Sequence, residues 1–289
     1  MIVLTGATGT VGKALLPELL AAGHDVRCLV RDPRRLGRHR VQVQLAINDL
    51  ADPHGLRHSL RGADTVIHLA SAIRDEGGRS LEEVNALGTY RLVRAAERAG
   101  VERFYFFSAL NASSFQRTRF FRSKALAEAE VLGSKMKATV IAPSIIYDVD
   151  DPWVTLQRRL ALFPLMPISG RGTAAFQPIW ARDVARCVLG ALEAMPGRFE
   201  LAGPHTITYE GIAQMIAAST GRERPLIHVP LRVVRSVLNS LRLIVGDATF
   251  ATWEEAELME VPMTSTAGPA GARQLGVDPR PMRSVLAVA

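Results

Sequence analysis

The amino terminus, "MIVLTGATGTVGKALLPELLAAG", joins a short apolar run to an apolar pattern at helical spacing through three glycines, Gly6, Gly9 and Gly12. Ile2 to Thr5 reads as a strand and Val11 to Ala22 as a helix, so Gly6-Ala7-Thr8-Gly9-Thr10-Val11-Gly12 is the crossing between them. At such a crossing each glycine has a steric duty. The first permits the tight turn, the second lets phosphate oxygens approach the backbone, and the third lets the helix lie close to the strand. The N–H groups that open a helix also favour an anion, so a pyrophosphate docks there. This stretch therefore commits the chain to a β-turn-α unit and marks Gly6, Thr8, Gly9, Thr10, Val11 and Gly12 as candidate dinucleotide contacts.

The pattern continues. Val26 to Val30, Val41 to Ile47, Thr65 to Ala70, Phe104 to Ser108 and Thr139 to Ala142 are short apolar runs, as in parallel strands buried on both faces. Helical patterns lie between them: Val11 to Ala22 stops at Gly23 and Leu81 to Ala99 at Gly100, glycines suited to a left-handed position after a helix. Asp52 followed by Pro53 reads as an N-cap and first helical residue, with the helix running to about Leu60. The alternation predicts an α/β, Rossmann-type doubly wound parallel sheet over residues 1–149. After Pro143 the rhythm changes to proline- and glycine-rich stretches such as "LFPLMPISGRG", which predicts a smaller C-terminal lobe over 150–289, with segments near 173–200 returning to the first domain.

With 48% hydrophobic residues in 289, the chain can bury a sizeable core. No apolar run approaches the roughly 20 residues of a membrane-spanning helix, and the first strand begins at Ile2 with no room for a leader, so a cytoplasmic protein is expected. Cys28 and Cys187 share no metal-type spacing and read as reduced core thiols. The net charge of +7 includes a cluster at Arg31, Arg34, Arg35, Arg38 and Arg40. No aromatic residues are interleaved there for base stacking, so a nucleic-acid partner is not expected.

"TGATGTVG" resembles the cofactor loop of extended and atypical short-chain dehydrogenases, and "NDLAD", "VIHLAS" and "VNALGTYRLVRAAERAGVERFYFFSA" are similar to later segments of that superfamily in the same order. "FRSKALAEAEV", "QPIWARDVARCVLGALE" and "FELAGPHTITYEGIAQMI" match its atypical members that resemble an accessory subunit of respiratory complex I, with the NmrA-like proteins; coverage is about residues 1–220. The resemblance implies NAD(P) as cofactor. It places Asp49 and Leu50 at the adenine and Ala70 and Ser71 at the ribose, and adds Ser108, Lys124 and Pro143 to the cofactor-binding set. The end of the second strand decides between nucleotides: an acid there accepts ribose hydroxyls of NAD, an arginine meets the 2′-phosphate of NADP. "CLVRDP" puts Arg31 directly after the strand with Arg34 and Arg35 behind it, which favours NADP; Asp32 keeps NAD open.

Hydride-transferring members of the superfamily use a Tyr-x-x-x-Lys pair, in which the phenol exchanges a proton with the substrate oxygen. Lys124 fits the lysine, but four residues earlier stands Phe120, followed by Phe121, and neither carries a hydroxyl. Tyr105 lies within a strand; Tyr147, beyond the sixth strand, can reach the cleft only through folding. Candidate catalytic residues are thus Lys124, Ser108 at the end of the fifth strand, and Tyr147. A retained cofactor with lost chemistry is what the resemblance implies, in a protein linked to a partner or a quinone-linked membrane complex; the alternative is an oxidoreductase or isomerase acting on a small carbonyl or quinone-like compound. His54 and His58, and Asp148, Asp150 and Asp151, read as solvated side chains, and Asp183 as a helix cap. The segment Leu231 to Val245 places Val234, Val237, Leu238, Leu241 and Val245 on one helical face beside Arg232, Arg235 and Arg242. Such a helix packs on its own lobe or lies on an anionic membrane surface, which would make the protein peripheral at the membrane.

Overall fold

A computed structural model of the chain describes residues 1–75, 77–222, 224–245 and 251–287. Its frame is a seven-stranded sheet built from β1 (Ile2–Thr5), β2 (Val26–Val30), β3 (Gln44–Ile47), β4 (Thr65–His68), β5 (Arg103–Phe107), β6 (Lys137–Pro143) and a late strand, Arg198–Leu201. All neighbours are parallel, in the order Arg198–Leu201, β6, β5, β4, β1, β2, β3. Successive side chains leave a strand on opposite faces, and both faces are covered. Leu4, Tyr105 and Phe107 pack with Leu15, Leu16 and Leu19 of α1 (Thr10–Ala21). Val3, Phe104 and Phe106 face the other way, toward α2 (Pro53–Ser59), α3 (Gly88–Ala99) and α4 (Arg119–Leu132).

The doubly wound sheet is the one the alternation predicts, with shifts at element ends. The third strand starts at Gln44 and not Val41, because Pro33–Val41 winds into 3₁₀ turns begun by the Asp32 carboxylate, which accepts the Arg34 N–H. The long helix opens as a π turn over Glu83–Leu87 before α3 proper. Asp52 caps α2 through the His54 N–H, with Pro53 first in the helix, and Gly23 and Gly100 both adopt left-handed backbone, at φ +80° and +75°.

Beyond β6 follow β7 (Ile146–Tyr147), α5 (Pro152–Leu160), β8 (Met166–Ser169), β9 (Ala175–Phe176), β10 (Ile179–Trp180) and α6 (Ala181–Glu193). The strand Arg198–Leu201 is β11; after it come β12 (Ile207–Thr208), α7 (Tyr209–Ala218), β13 (Leu226–Val229), α8 (Leu231–Val245) and α9 (Trp253–Leu258). Val184 and Val188 of α6 join the α1 face of the sheet. A separate core, including Val154, Ile168, Phe176, Ile212 and Leu258, reaches the sheet through Ala109, Leu110 and Tyr147 beyond its strand ends. Cys28 and Cys187 are buried free thiols, pushed up to about 12 by burial.

On α8, Leu238 is buried, Val234 and Leu241 are half-buried, and Val237 is exposed. The side chains of Arg242 and Val245 lie outside the described ones. Among the described residues no helix is long and apolar enough to cross a membrane.

Candidate dinucleotide site

The sheet order reverses between β1 and β4, and in open α/β sheets ligands bind outside the strand ends at that point. The glycine turn lies there. Gly6 has φ +72°, and a Cβ on it would stand 2.6 Å from the Ala70 nitrogen and 2.7 Å from the Leu69 carbonyl carbon. At Gly12 a Cβ would meet the Gly6 oxygen at 2.3 Å, so two of the glycines are required by contact between backbones. Gly9 differs: its Cβ would approach only the Gly6 oxygen, at 3.4 Å, and otherwise enter open space. Gly9 is also the N-cap of α1, and no side chain caps that helix. Thr8, Thr10 and Val11 surround this opening, each part-exposed. Uncapped N–H groups facing a space that only glycine leaves open fit a pyrophosphate.

Arg31 follows β2 directly, and Arg31, Arg34, Arg35, Arg38 and Arg40 are all exposed, with no ion pair or side-chain hydrogen bond among the described residues. The Asp32 carboxylate is committed to its 3₁₀ turn. Asp49 accepts from the Ala51 N–H and pairs with Arg79 at 2.6 Å. Burial acts to raise its pKa, but these bonds and the charges of Arg79 and Arg31 outweigh it and hold the carboxylate below its usual range. Leu50 lies over Gly88 of α3, where an added Cβ would come within 3.3 Å of the leucine.

A buried polar network stands behind the crevice. His68 Nδ1 is 2.6 Å from Thr5 Oγ1, and Nε2 is 2.9 Å from Thr89 Oγ1. The Thr89 hydroxyl spends its proton on the Asn85 carbonyl oxygen, so Nε2 carries the imidazole proton and Nδ1 accepts from Thr5. Burial, then the charge of Lys124, pushes His68 down to about 3, which keeps it neutral. Asn85, inside the π turn, accepts from Ser71 Oγ and the Ala72 N–H and donates to the Ala72 oxygen and Ser123 Oγ. It thereby fixes the Ala70–Ser71 loop to the helix that carries Lys124. His68 and Asn85 belong to no site motif in the sequence; their signal there is a histidine and an asparagine inside otherwise apolar, two-sided buried patterns.

Lys124 is buried, and its Nζ donates to the Phe107 oxygen at 2.6 Å, beneath the rings of Phe106 and Phe120. Burial pushes its ammonium down to about 7. Ser108, also buried, donates to Glu128, one helical turn beyond Lys124. Phe120 packs edge-on to Phe121, with ring centres 5.3 Å apart, and supplies no proton. Tyr147 is fully buried with a hydroxyl that has no hydrogen-bond partner among the described residues, and burial, aided by Asp183 and Asp148, raises its pKa. Pro143 is buried at the end of β6, its oxygen taken by the Leu110 N–H. Asp151 is buried and caps α5 where a solvated carboxylate is expected, Asp148 accepts from the Trp180 indole, and Asp183, expected as a cap, lies buried in the first turn of α6 and accepts the Arg280 N–H; His54 and His58 are exposed on α2, as expected.

Fold and crevice together define a Rossmann-type dinucleotide-binding protein. The chain belongs to the NAD(P)H-binding family, whose model matches residues 6–194, and to the atypical short-chain dehydrogenases. It is 29% identical over 260 residues to the Arabidopsis thaliana protein "NADH dehydrogenase (ubiquinone) 1 alpha subcomplex subunit 9, mitochondrial", an alignment covering 85% of this chain and 64% of the relative, so the chain spans just under two thirds of that protein. It is 30% identical to "Sterol demethylase protein B" of Methylococcus capsulatus, over 81% of this chain and 79% of the relative. A solved nucleoside-diphosphate-sugar epimerase from Staphylococcus aureus superposes with a TM-score of 0.80 at 18% identity, covering 99% of both chains, and shares the fold.

Proposed function

We propose that this protein holds NADP(H) as a structural or regulatory group, and that the occupied crevice stabilises a surface which engages a protein partner or a quinone-linked membrane complex. Bound NADPH supplies a hydride; the chain lacks the usual means of completing the transfer. The observation that carries this reading is Phe120, one helical turn before Lys124, where a proton-exchanging phenol would have to stand. Lys124, buried with its Nζ on the Phe107 oxygen, is the residue this reading assigns to the ribose hydroxyls. Arg31, exposed at the end of β2 with no ion pair or side-chain hydrogen bond among the described residues, supports NADP over NAD, since a 2′-phosphate would meet a guanidinium there. The family tie to a complex I subunit of Arabidopsis supports a partner complex.

A second reading is an NADPH-dependent oxidoreductase or isomerase on a small carbonyl or quinone-like compound, and the Tyr147 hydroxyl favours it, being a buried phenol without a partner among the described residues. One experiment separates the two. The purified protein is analysed for bound nucleotide by mass spectrometry, then mixed with NADPH and a panel of carbonyls and quinones while absorbance is followed. The scaffold reading expects bound NADP(H) and no turnover at the rates usual for the superfamily, because general acid–base catalysis supplies roughly 10²- to 10⁴-fold. Rapid turnover abolished by Tyr147→Phe overturns it.

A further inference from the structure

The turn between α5 and β8, "LFPL", carries three large apolar side chains in the open: Leu162 is 60% exposed, Phe163 58% and Leu165 51%. Its shape is fixed by Leu162 and Phe163 N–H groups that bond back to the Arg159 and Leu160 oxygens. β13 lies beside it. The Arg224 guanidinium donates to the Ala161 oxygen, the Met166 N–H to the Pro225 oxygen, and the parallel register sets Pro167 against Ile227, itself exposed. Apolar side chains are therefore continuous from the turn onto the strand pair.

The sequence around this face is richer in arginine than in acid, with Glu223 beside Arg222 as the acid next to β13. Arg159 lies in the last turn of α5 and Arg222 precedes β13, both exposed, while residues 152–175 contain no Asp or Glu. His228, on the opposite side of β13 from Ile227, meets the Glu210 carboxylate at 3.3 Å, and beyond β8 the Arg171 N–H bonds to Glu260. Beyond Pro230 the same strand leads into α8, which has no carboxylate and exposes Val233, Val237 and Arg232.

An apolar projection rimmed by cations matches a bilayer with anionic headgroups, whose acyl boundary takes Leu and Phe side chains while the arginines meet phosphates. We infer that the face formed by the Leu162–Leu165 turn and β13 docks on an anionic lipid surface. The inference deepens the scaffold reading and rests on it only for placing the protein at a membrane complex; the surface stands whatever the cofactor does.

The test is sedimentation of the intact protein with vesicles of phosphatidylcholine alone and of phosphatidylcholine with phosphatidylglycerol, at low and high salt. Binding is expected only to the anionic vesicles and should fall as salt rises. R159Q/R222Q should lower the partition coefficient roughly 25-fold, at about fivefold per cation. L162S/F163S should lower it at least tenfold while melting temperature and NADPH affinity stay at native values, since both side chains are exposed. Absent binding at low salt, equal binding to neutral vesicles, or undiminished binding by L162S/F163S each overturns the inference. So does a native dimer that L162S/F163S makes monomeric, which would assign the face to a second copy of the chain. Failed lipid binding with NADPH still held leaves the scaffold reading intact. Rapid turnover with lipid binding preserved removes that reading and keeps the surface.

Discussion

Gly6→Ala tests whether the crevice depends on backbone-to-backbone contact between the β1 turn and the loop after β4. Two costs arise at this position. At φ +72° an L side chain costs roughly 1–2 kcal/mol, and a Cβ held 2.6 Å from the Ala70 nitrogen forces backbone apart at an overpacking cost of about 1–3 kcal/mol. Gly23→Ala is the internal control. Gly23 has nearly the same conformation, φ +80°, with nothing within 4 Å of its Cβ, so it carries the first cost without the second. Gains from restricting the unfolded chain are the same for both and cancel in the comparison. Unfolding entropy of about 2.1 cal/mol/K per residue gives about 0.6 kcal/mol/K for 289 residues. Gly23→Ala should therefore melt about 2–3 °C below the native protein and Gly6→Ala about 3–8 °C below it, with the difference reporting the contact. Scanning calorimetry measures both, and titration calorimetry with NADPH should show binding lost in Gly6→Ala and kept in Gly23→Ala. Equal melting temperatures with intact binding in both variants would refute the steric account of the turn.

Arg31→Ala should erase a thermal-shift preference for NADPH over NADH, since a charge-assisted bond to the 2′-phosphate contributes roughly 1.5–3 kcal/mol; equal shifts by both nucleotides in the native protein would rule out the clamp. Lys124, held down to about 7 by burial, should take up a proton when NADPH binds, because ribose hydroxyls and pyrophosphate both favour the ammonium. The bound form then holds more protons between about pH 7 and the ordinary lysine range, so affinity falls as pH rises through that window. Titration calorimetry in buffers of different ionisation enthalpy measures the uptake, and its persistence in Lys124→Met would assign it elsewhere. His68 has a folded pKa of about 3 against an ordinary value near 6.5, so its contribution is fully present above pH 6.5 and is lost as pH falls toward 3. The slope of chemical-denaturation stability over that range should flatten in His68→Gln, and an unchanged slope would show that other groups set the acid limit.

Gly6 through Gly12 specified the turn and the parallel β-turn-α unit from sequence alone, because the steric duty of each glycine is local and the strand and helix periods on either side leave one arrangement. Asp52-Pro53, Gly23 and Gly100 were legible for the same reason: capping and left-handed backbone are short-range properties. The third strand begins three residues later than its apolar pattern, because apolar character at Val41 and Val43 carries no sign that Asp32 starts 3₁₀ turns upstream. The absence of a phenol before Lys124 was likewise plain in "RFFRSK", since the spacing of four is a helical repeat. What Tyr147 does was not legible: only the packing beyond the sheet seals its hydroxyl inside the second core. Nor were the roles of His68 and Asn85, which depend on hydrogen-bond partners 21 and 63 residues from His68 and 13 and 38 residues from Asn85. Composition and order determined the fold and the glycine turn, which follow from periodicity and backbone sterics. Tertiary structure alone decided the tautomer of His68, the depressed pKa of Lys124 and the apolar turn left in the open, because burial and partner geometry belong to contacts between segments that no local pattern encodes.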